Sequence, residues 1–171
     1  MIINNKFIYK MDLIEIILKD EIKIYQYEEL SEAVDFLKTL HSPYVFDLHG
    51  VLDTISSNTT IPVNKSASCC SYVGSRGTMR DEARLEIKER IISEQIEFGV
   101  LVFKRHEEQR NDIGTCQSPT CGTKAWYCLL VGCEVFCDDS FDHINAVKSY
   151  GIKTLHITKQ QPFLKSLGVK K

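Results

Sequence analysis

Long apolar runs are missing from this chain. The stretch Leu13 to Leu18 is broken by Glu15 and followed at once by Lys19, Asp20 and Glu21, far short of the roughly 18 to 20 apolar residues that a membrane span needs. The N-terminus lacks the charged start, apolar middle and small-residue cleavage site of a secretory signal. A cytoplasmic protein with no membrane partner is therefore expected. An excess of one charge is missing too. A net charge of −2 and a pI near 6.2 leave no basic field to hold nucleic acid non-specifically. Internal repeats and low-complexity segments are absent. So are the tight C-x2-C pairs of common zinc sites. The seven cysteines (Cys69, Cys70, Cys116, Cys121, Cys128, Cys133 and Cys137) are odd in number and come with no export signal. That reads as free thiols in a reducing compartment, with Cys116 and Cys121 the best pair if zinc were bound.

What the chain does contain is 171 residues, enough for one domain with a full core, and an alternation of short apolar runs with amphipathic stretches. Lys6 to Tyr27 carries β-branched and aromatic residues and reads as one or two strands, with Lys19-Asp20-Glu21 as a turn. Glu28 to Leu40 reads as a helix stopped by Ser42-Pro43. Tyr44-Val45-Phe46 is a continuous apolar triplet, as suits a strand buried on both faces. Thr54 to Ser66 reads as loop, Ala67 to Val73 as a strand, and Gly74 to Gly77 as a turn. Met79 to Phe98 is the clearest helix, capped by Thr78 and ended by Gly99. A strand Val100 to Phe103 follows, then a polar segment Lys104 to Gly122 with breaks at Gly114 and Pro119. Thr123 to Val131 (helix), Glu134 to Cys137 (strand), Phe141 to Tyr150 (helix, stopped by Gly151) and Ile152 to Ile157 (strand) complete the pattern.

This order predicts an α/β fold: a three-layer, Rossmann-like, doubly wound and mainly parallel sheet with helices on both faces. Residues 1–43 form N-terminal strands and a helix packed on a core spanning 44–171. Ligands of such sheets sit beyond the carboxyl ends of the strands. Asp47, Ser71 and the pair Asp138-Asp139 all fall at or near such ends, more reactive chemistry than the fold requires.

The run Tyr44-Val45-Phe46-Asp47-Leu48-His49-Gly50-Val51-Leu52-Asp53 resembles the first motif of the haloacid-dehalogenase-like superfamily, an apolar strand ending in a nucleophilic Asp. Three further elements match in order: Ser71 within Cys70-Ser71-Tyr72-Val73, Lys124 at the start of a helix, and Asp138-Asp139 after Val135-Phe136-Cys137. The resemblance covers about Tyr44 to Ile157, and within the superfamily the motifs are similar to domains of some multifunctional RNA-repair proteins. It implies a Mg²⁺-dependent phosphohydrolase acting on phosphate monoesters. Asp47 is then the nucleophile and Ser71 orients a phosphoryl oxygen. Lys124 offsets negative charge, and Asp47, Asp138, Asp139 and the backbone carbonyl of His49 hold Mg²⁺.

One residue departs from the motif. The second Asp, two residues after the nucleophile, is replaced by His49. An imidazole can give and take a proton near neutral pH, but the replacement also fits a domain that has lost catalysis and binds a phosphorylated ligand or a protein partner. The gaps Asp53 to Ser66 and Lys104 to Thr123 are too short for a cap domain of roughly 50 residues or more. A capless, open site suits a phosphate on a large substrate, such as a polynucleotide end or a protein.

Several residues carry two readings. Lys104 is an alternative to Lys124. Asp139 and Asp142 serve equally as helix N-terminal residues, and Asp53 as a loop residue. Arg76, Arg80, Arg84, Lys88 and Arg90 read as a solvated helical face, with Arg76 and Arg80 as a second phosphate contact near the site mouth. His143 and His156 have no nameable partner and read as structural or surface residues. A response-regulator-like receiver domain also carries acidic strand ends, but it places its acidic pair at the first strand.

Overall fold

The computed structural model of the chain describes residues 11–48, 51, 66–73, 78–93, 96–104, 114–115 and 123–156. The N-terminal region gives two strands, β1 (Met11–Ile17) and β2 (Ile22–Gln26), paired as an antiparallel hairpin. A 3₁₀ turn leads into α1 (Leu30–Thr39), which buries Leu30, Ala33 and Leu37 on one stripe. Then come β3 (Tyr44–Phe46), β4 (Ser66–Val73), α2 (Thr78–Ile92), β5 (Phe98–Lys104) and the two-residue β6 (Gly114–Thr115). α3 (Thr123–Leu130), β7 (Val135–Asp138), α4 (Phe141–Lys148) and β8 (Lys153–His156) complete the described chain.

The strands join in one sheet in the order β2-β1-β5-β4-β3-β7-β8. The five strands from β5 to β8 along this path are parallel, and β1 adds antiparallel to β5 at one side. β3 pairs with β4 only as far as Ser68; beyond it, Tyr72 and Val73 pair with β6 instead. The molecule is thus an α/β protein with a mostly parallel sheet. Residues 11–43 belong to that sheet and its covering helices. Among the described residues, no helix is long and apolar enough to cross a membrane.

Strand alternation divides the core between the two faces of the sheet. Ile14, Ile16, Val45, Phe98, Val100, Val102 and Phe136 pack with α1, α3 and α4. Their neighbours Leu13, Ile17, Phe46, Leu101, Phe103 and Cys137 pack with Ala83, Ile87 and Ile91 of α2. Parallel strands covered on both sides need apolar residues at successive positions, and Val45-Phe46 and Phe136-Cys137 supply them.

Two expectations are corrected here. α2 ends at Ile92, so Phe98 and Gly99 belong to β5 and Gly99 caps no helix. The apolar pattern Ile91, Ile92, Ile96 imitates a longer helix, but Ile96 already packs beneath the following strand. Gly99 instead permits close approach, because a Cβ there would run into the Ile87 side chain. Gly151, by contrast, stops α4 as expected, in the left-handed region with φ of 84°.

The second correction concerns charge. Glu15, which breaks the apolar run of β1, is completely buried. Arg84 of α2 reaches across to it, with Nη2 at 2.6 Å and Nε at 2.8 Å from Glu15 Oε1. Lys88, one turn on, donates to the carbonyls of Leu18 (2.7 Å) and Lys19 (3.2 Å). These two cations clamp α2 to the β1 end of the sheet rather than forming a solvated face. Arg84→Ala removes a counter-charge from a buried carboxylate and is expected to cost about 3 kcal/mol of folding stability. A urea unfolding series would measure it, and a loss below about 0.5 kcal/mol, the usual range of a surface substitution, would show that the ion pair does not matter.

Candidate functional site

β3 and β7 lie side by side, paired as Val45 with Phe136 and Phe46 with Cys137. The next residues, Asp47 and Asp138, therefore stand level at the carboxyl edge, and the Asp47 amide donates to the Cys137 carbonyl at 2.9 Å. Val45 and Phe136 face the side of α1, α3 and α4. Two residues later on each strand, Asp47 and Asp138 return to that side. Asp47 is 6% exposed and Asp138 is fully buried, while Asp139 is exposed. One carboxylate oxygen from each of Asp47, Asp138 and Asp139 lies within 4.8 Å of the other two.

Lys124 enters this cluster from the first turn of α3, a helix whose residues Thr123 to Cys128 are all buried. A cation in a first helical turn opposes the helix dipole, and burial adds to the cost. The carboxylates offset both. Lys124 Nζ donates to Asp138 Oδ2 at 2.7 Å and to Asp47 Oδ1 at 3.2 Å, and lies 2.8 Å from His143 Nδ1. The other oxygen of Asp138, Oδ1, accepts from the Ser140 amide at 3.0 Å. Ser140 in turn caps α4, accepting from the His143 amide. The turn after β7 is tied down at each residue: His156 Nε2 lies 2.9 Å from the Asp139 carbonyl oxygen, and the Phe141 ring stands edge-on to His156.

Two buried carboxylates and the exposed Asp139 facing one ammonium leave excess negative charge, most of it in a place that water scarcely reaches. Burial pushes the Asp47 carboxyl up to about 7; Lys124 draws it down, but Asp138 and Asp139 push it up again. For Asp138, burial also opposes ionisation, but the His143 ring, the Lys124 ammonium and the Ser140 amide outweigh it and hold the carboxyl below the usual carboxylate range. Asp139 is raised, by desolvation first and by Asp138 second. One carboxylate stays ionised while its neighbour holds a proton near neutrality, as happens when two acids share a site that a cation would neutralise.

The donor set fits a hard divalent ion. Octahedral Mg²⁺ takes oxygen ligands at about 2.0 to 2.1 Å and keeps several waters, so oxygens within 4.8 Å of one another need only a small convergence. Cys137 is a buried free thiol on the opposite face of the sheet, its pKa raised by burial.

Of the residues singled out in the sequence, the structure brings together Asp47, Asp138, Asp139 and Lys124. The Lys124 amine meets the carboxylates; the side chain of the alternative, Lys104, lies outside the described residues. Asp139 precedes the cap residue Ser140, and Asp142 is an exposed residue of the first turn of α4 outside the cluster. Ser71 lies on β4 opposite Val102 of β5, its side chain outside the described residues. His49, Asp53, Arg76, Cys116 and Cys121 lie outside them altogether. His143, for which the sequence names no partner, is buried with its Nδ1 2.8 Å from the Lys124 amine. Its place at the third position of the helix after the acidic pair, four residues before the buried Val147, is the signal that marks its inward face. His156 also has a partner, the Asp139 carbonyl. No family model, no curated protein and no solved structure matches the chain.

Proposed function

We propose that the chain is a capless, doubly wound phosphohydrolase of the haloacid-dehalogenase-like type, with Asp47 as nucleophile on phosphate monoesters and Mg²⁺ as cofactor. The observation that supports this most is the meeting of Asp47, Asp138, Asp139 and Lys124 at the ends of two adjacent parallel strands. Asp47, Asp138, Asp139 and the His49 carbonyl are the groups that would hold the ion, which when bound offsets the repulsion between a carboxylate and a phosphate dianion.

The remaining steps fall to the chain's own residues. An oxygen of Asp47 bonds to phosphorus while the bond from phosphorus to the ester oxygen breaks. His49 gives that oxygen its proton, and the alcohol leaves. Water then attacks the aspartyl-phosphate and passes its proton to His49, which returns Asp47 and releases phosphate. Lys124 bears on the charge of Asp47 and the transferring group throughout, and Ser71 orients a phosphoryl oxygen. The segments Asp53 to Ser66 and Lys104 to Thr123 are too short in sequence for a cap domain, and a capless site favours a polynucleotide end or a phosphoprotein over a small enclosed metabolite.

Phosphate release is expected to require Mg²⁺ and to run faster on 3′- or 5′-phosphorylated oligonucleotides or phosphopeptides than on a small phosphomonoester. A faster rate on the small ester would overturn the open-site assignment. His49 favours a second reading, a domain that binds a phosphorylated ligand without turning it over. No release from any substrate, with phosphate still bound in a Mg²⁺-dependent manner, would establish that reading instead.

A further inference from the structure

We infer that His143 is a positioning residue for Lys124: its imidazole accepts a hydrogen bond from the lysine ammonium through Nδ1, 2.8 Å away. The ammonium has three N–H bonds and no acceptor. Its partners include Asp138 Oδ2 at 2.7 Å, His143 Nδ1 at 2.8 Å and Asp47 Oδ1 at 3.2 Å. His143 Nδ1 also lies 3.5 Å from Asp138 Oδ2. One ring nitrogen cannot accept from Lys124 and donate to Asp138 together. The contact shorter by 0.7 Å decides between them, because a proton on Nδ1 would set two donors against each other at hydrogen-bond distance. Asp138 stays ionised beside the ring, the Lys124 ammonium and the Ser140 amide.

The arrangement has a mechanical consequence. Lys124 is the first-turn residue of a short helix and its chain has four rotatable bonds. Both carboxylates that hold the ammonium are also the groups that would turn toward Mg²⁺. A third partner on a different helix, α4, fixes the ammonium whatever the carboxylates do. The α4 register that presents His143 is set by the Ser140 cap, so the loop carrying Asp138 and Asp139 also fixes the lysine's third support. The kinetic consequence rests on the phosphohydrolase reading; the pairing itself does not.

The pairing is tested by a long-range ¹H–¹⁵N spectrum of the histidine rings of the native, Mg²⁺-free protein at pH 7.5, with His143 assigned by its loss in His143→Asn. An Nε2–H tautomer whose Nδ1 signal moves in Lys124→Met is expected. An Nδ1–H tautomer or an imidazolium would overturn the assignment. Turnover then separates positioning from packing. His143→Asn keeps an acceptor near the place of Nδ1 and is expected to retain kcat within about threefold, whereas His143→Leu is expected to lose roughly 10- to 100-fold in kcat with little change in KM. Equal losses in both variants, in protein that melts like the native, would reduce His143 to a packing residue. A native protein inactive on every phosphate ester would sink the phosphohydrolase reading and leave the tautomer to decide the pairing.

Discussion

Asp47→Asn is expected to abolish Mg²⁺-dependent phosphate release, with kcat down by at least about 10⁴-fold, while making the Mg²⁺-free protein more stable. The first effect follows from chemistry: an amide cannot form the acyl-phosphate bond. The second follows from the pKa of about 7 that burial and two acidic neighbours impose on Asp47, against 3.8 for a free side chain. The folded state then holds a proton that the unfolded chain has already released. Stability contributed by this group is present in full below about pH 4, falls as pH rises through the interval to about 7, and stays lost above it. The loss is on the order of 4 kcal/mol for an Asp buried this deeply. An asparagine carries no such slope. Native and variant should melt alike near pH 4.5, and the variant should melt at a markedly higher temperature at pH 8. Mg²⁺ should reverse the order, raising the melting temperature of the native protein at pH 8 and doing much less at pH 5, where protons compete for the same carboxylate. Thermal melts across this pH range, with and without Mg²⁺, would measure all of this. A variant less stable than the native protein at pH 8 without metal would contradict the account of the buried charge.

Lys124→Met carries the second large effect, and its sign is opposite. The lysine is the buried cation between Asp47 and Asp138. Its removal leaves Asp138 buried and ionised with, among the described residues, the Ser140 amide and the His143 ring to support it. A stability loss of about 3 to 5 kcal/mol at pH 8 is expected, shrinking as the pH falls and the carboxylates take up protons. Turnover should fall by roughly 10² to 10³-fold with added Mg²⁺, since the positive charge beside the nucleophile is lost. Pairing the two substitutions separates the roles. In Asp47→Asn/Lys124→Met, part of the lost stability should return, because one carboxylate and one ammonium leave together. Chemical denaturation of the three variants gives the coupling, and strict additivity would mean that the two side chains do not interact.

The acidic edge was legible because its signal is local. A three-residue apolar strand that runs straight into an aspartate, seen at Phe46-Asp47 and again at Cys137-Asp138, announces both a buried parallel strand and a charged group at its carboxyl end. Lys124 was legible through its motif, although its cost as a buried first-turn cation is itself a sequence signal. What stayed hidden depends on partners distant in the chain. Glu15 reads as an interruption of an apolar run, and a partner such as Arg84, 69 residues away, lets it be a fully buried strand residue. The edge on which the β1–β2 hairpin docks is set by tertiary pairing with β5, which no local pattern encodes. The end of α2 was missed because Ile96 continues a helical apolar spacing while packing from a different backbone conformation. His143 was missed because a histidine on a helix is common, and only the amine 2.8 Å from its ring distinguishes it.

The account depends on Asp47 and Asp138 sharing one divalent ion with Asp47 presented to phosphorus. A crystal structure of the native protein grown with MgCl₂ and BeF₃⁻ tests this most directly. The expected density shows beryllium bonded to an Asp47 oxygen, one Mg²⁺ between that adduct and Asp138, and the Lys124 amine within hydrogen-bond reach of the Asp47 carboxylate or a fluorine. Fluoroberyllate absent from Asp47, or a metal bound elsewhere with Asp47 still paired to Lys124 alone, would contradict it.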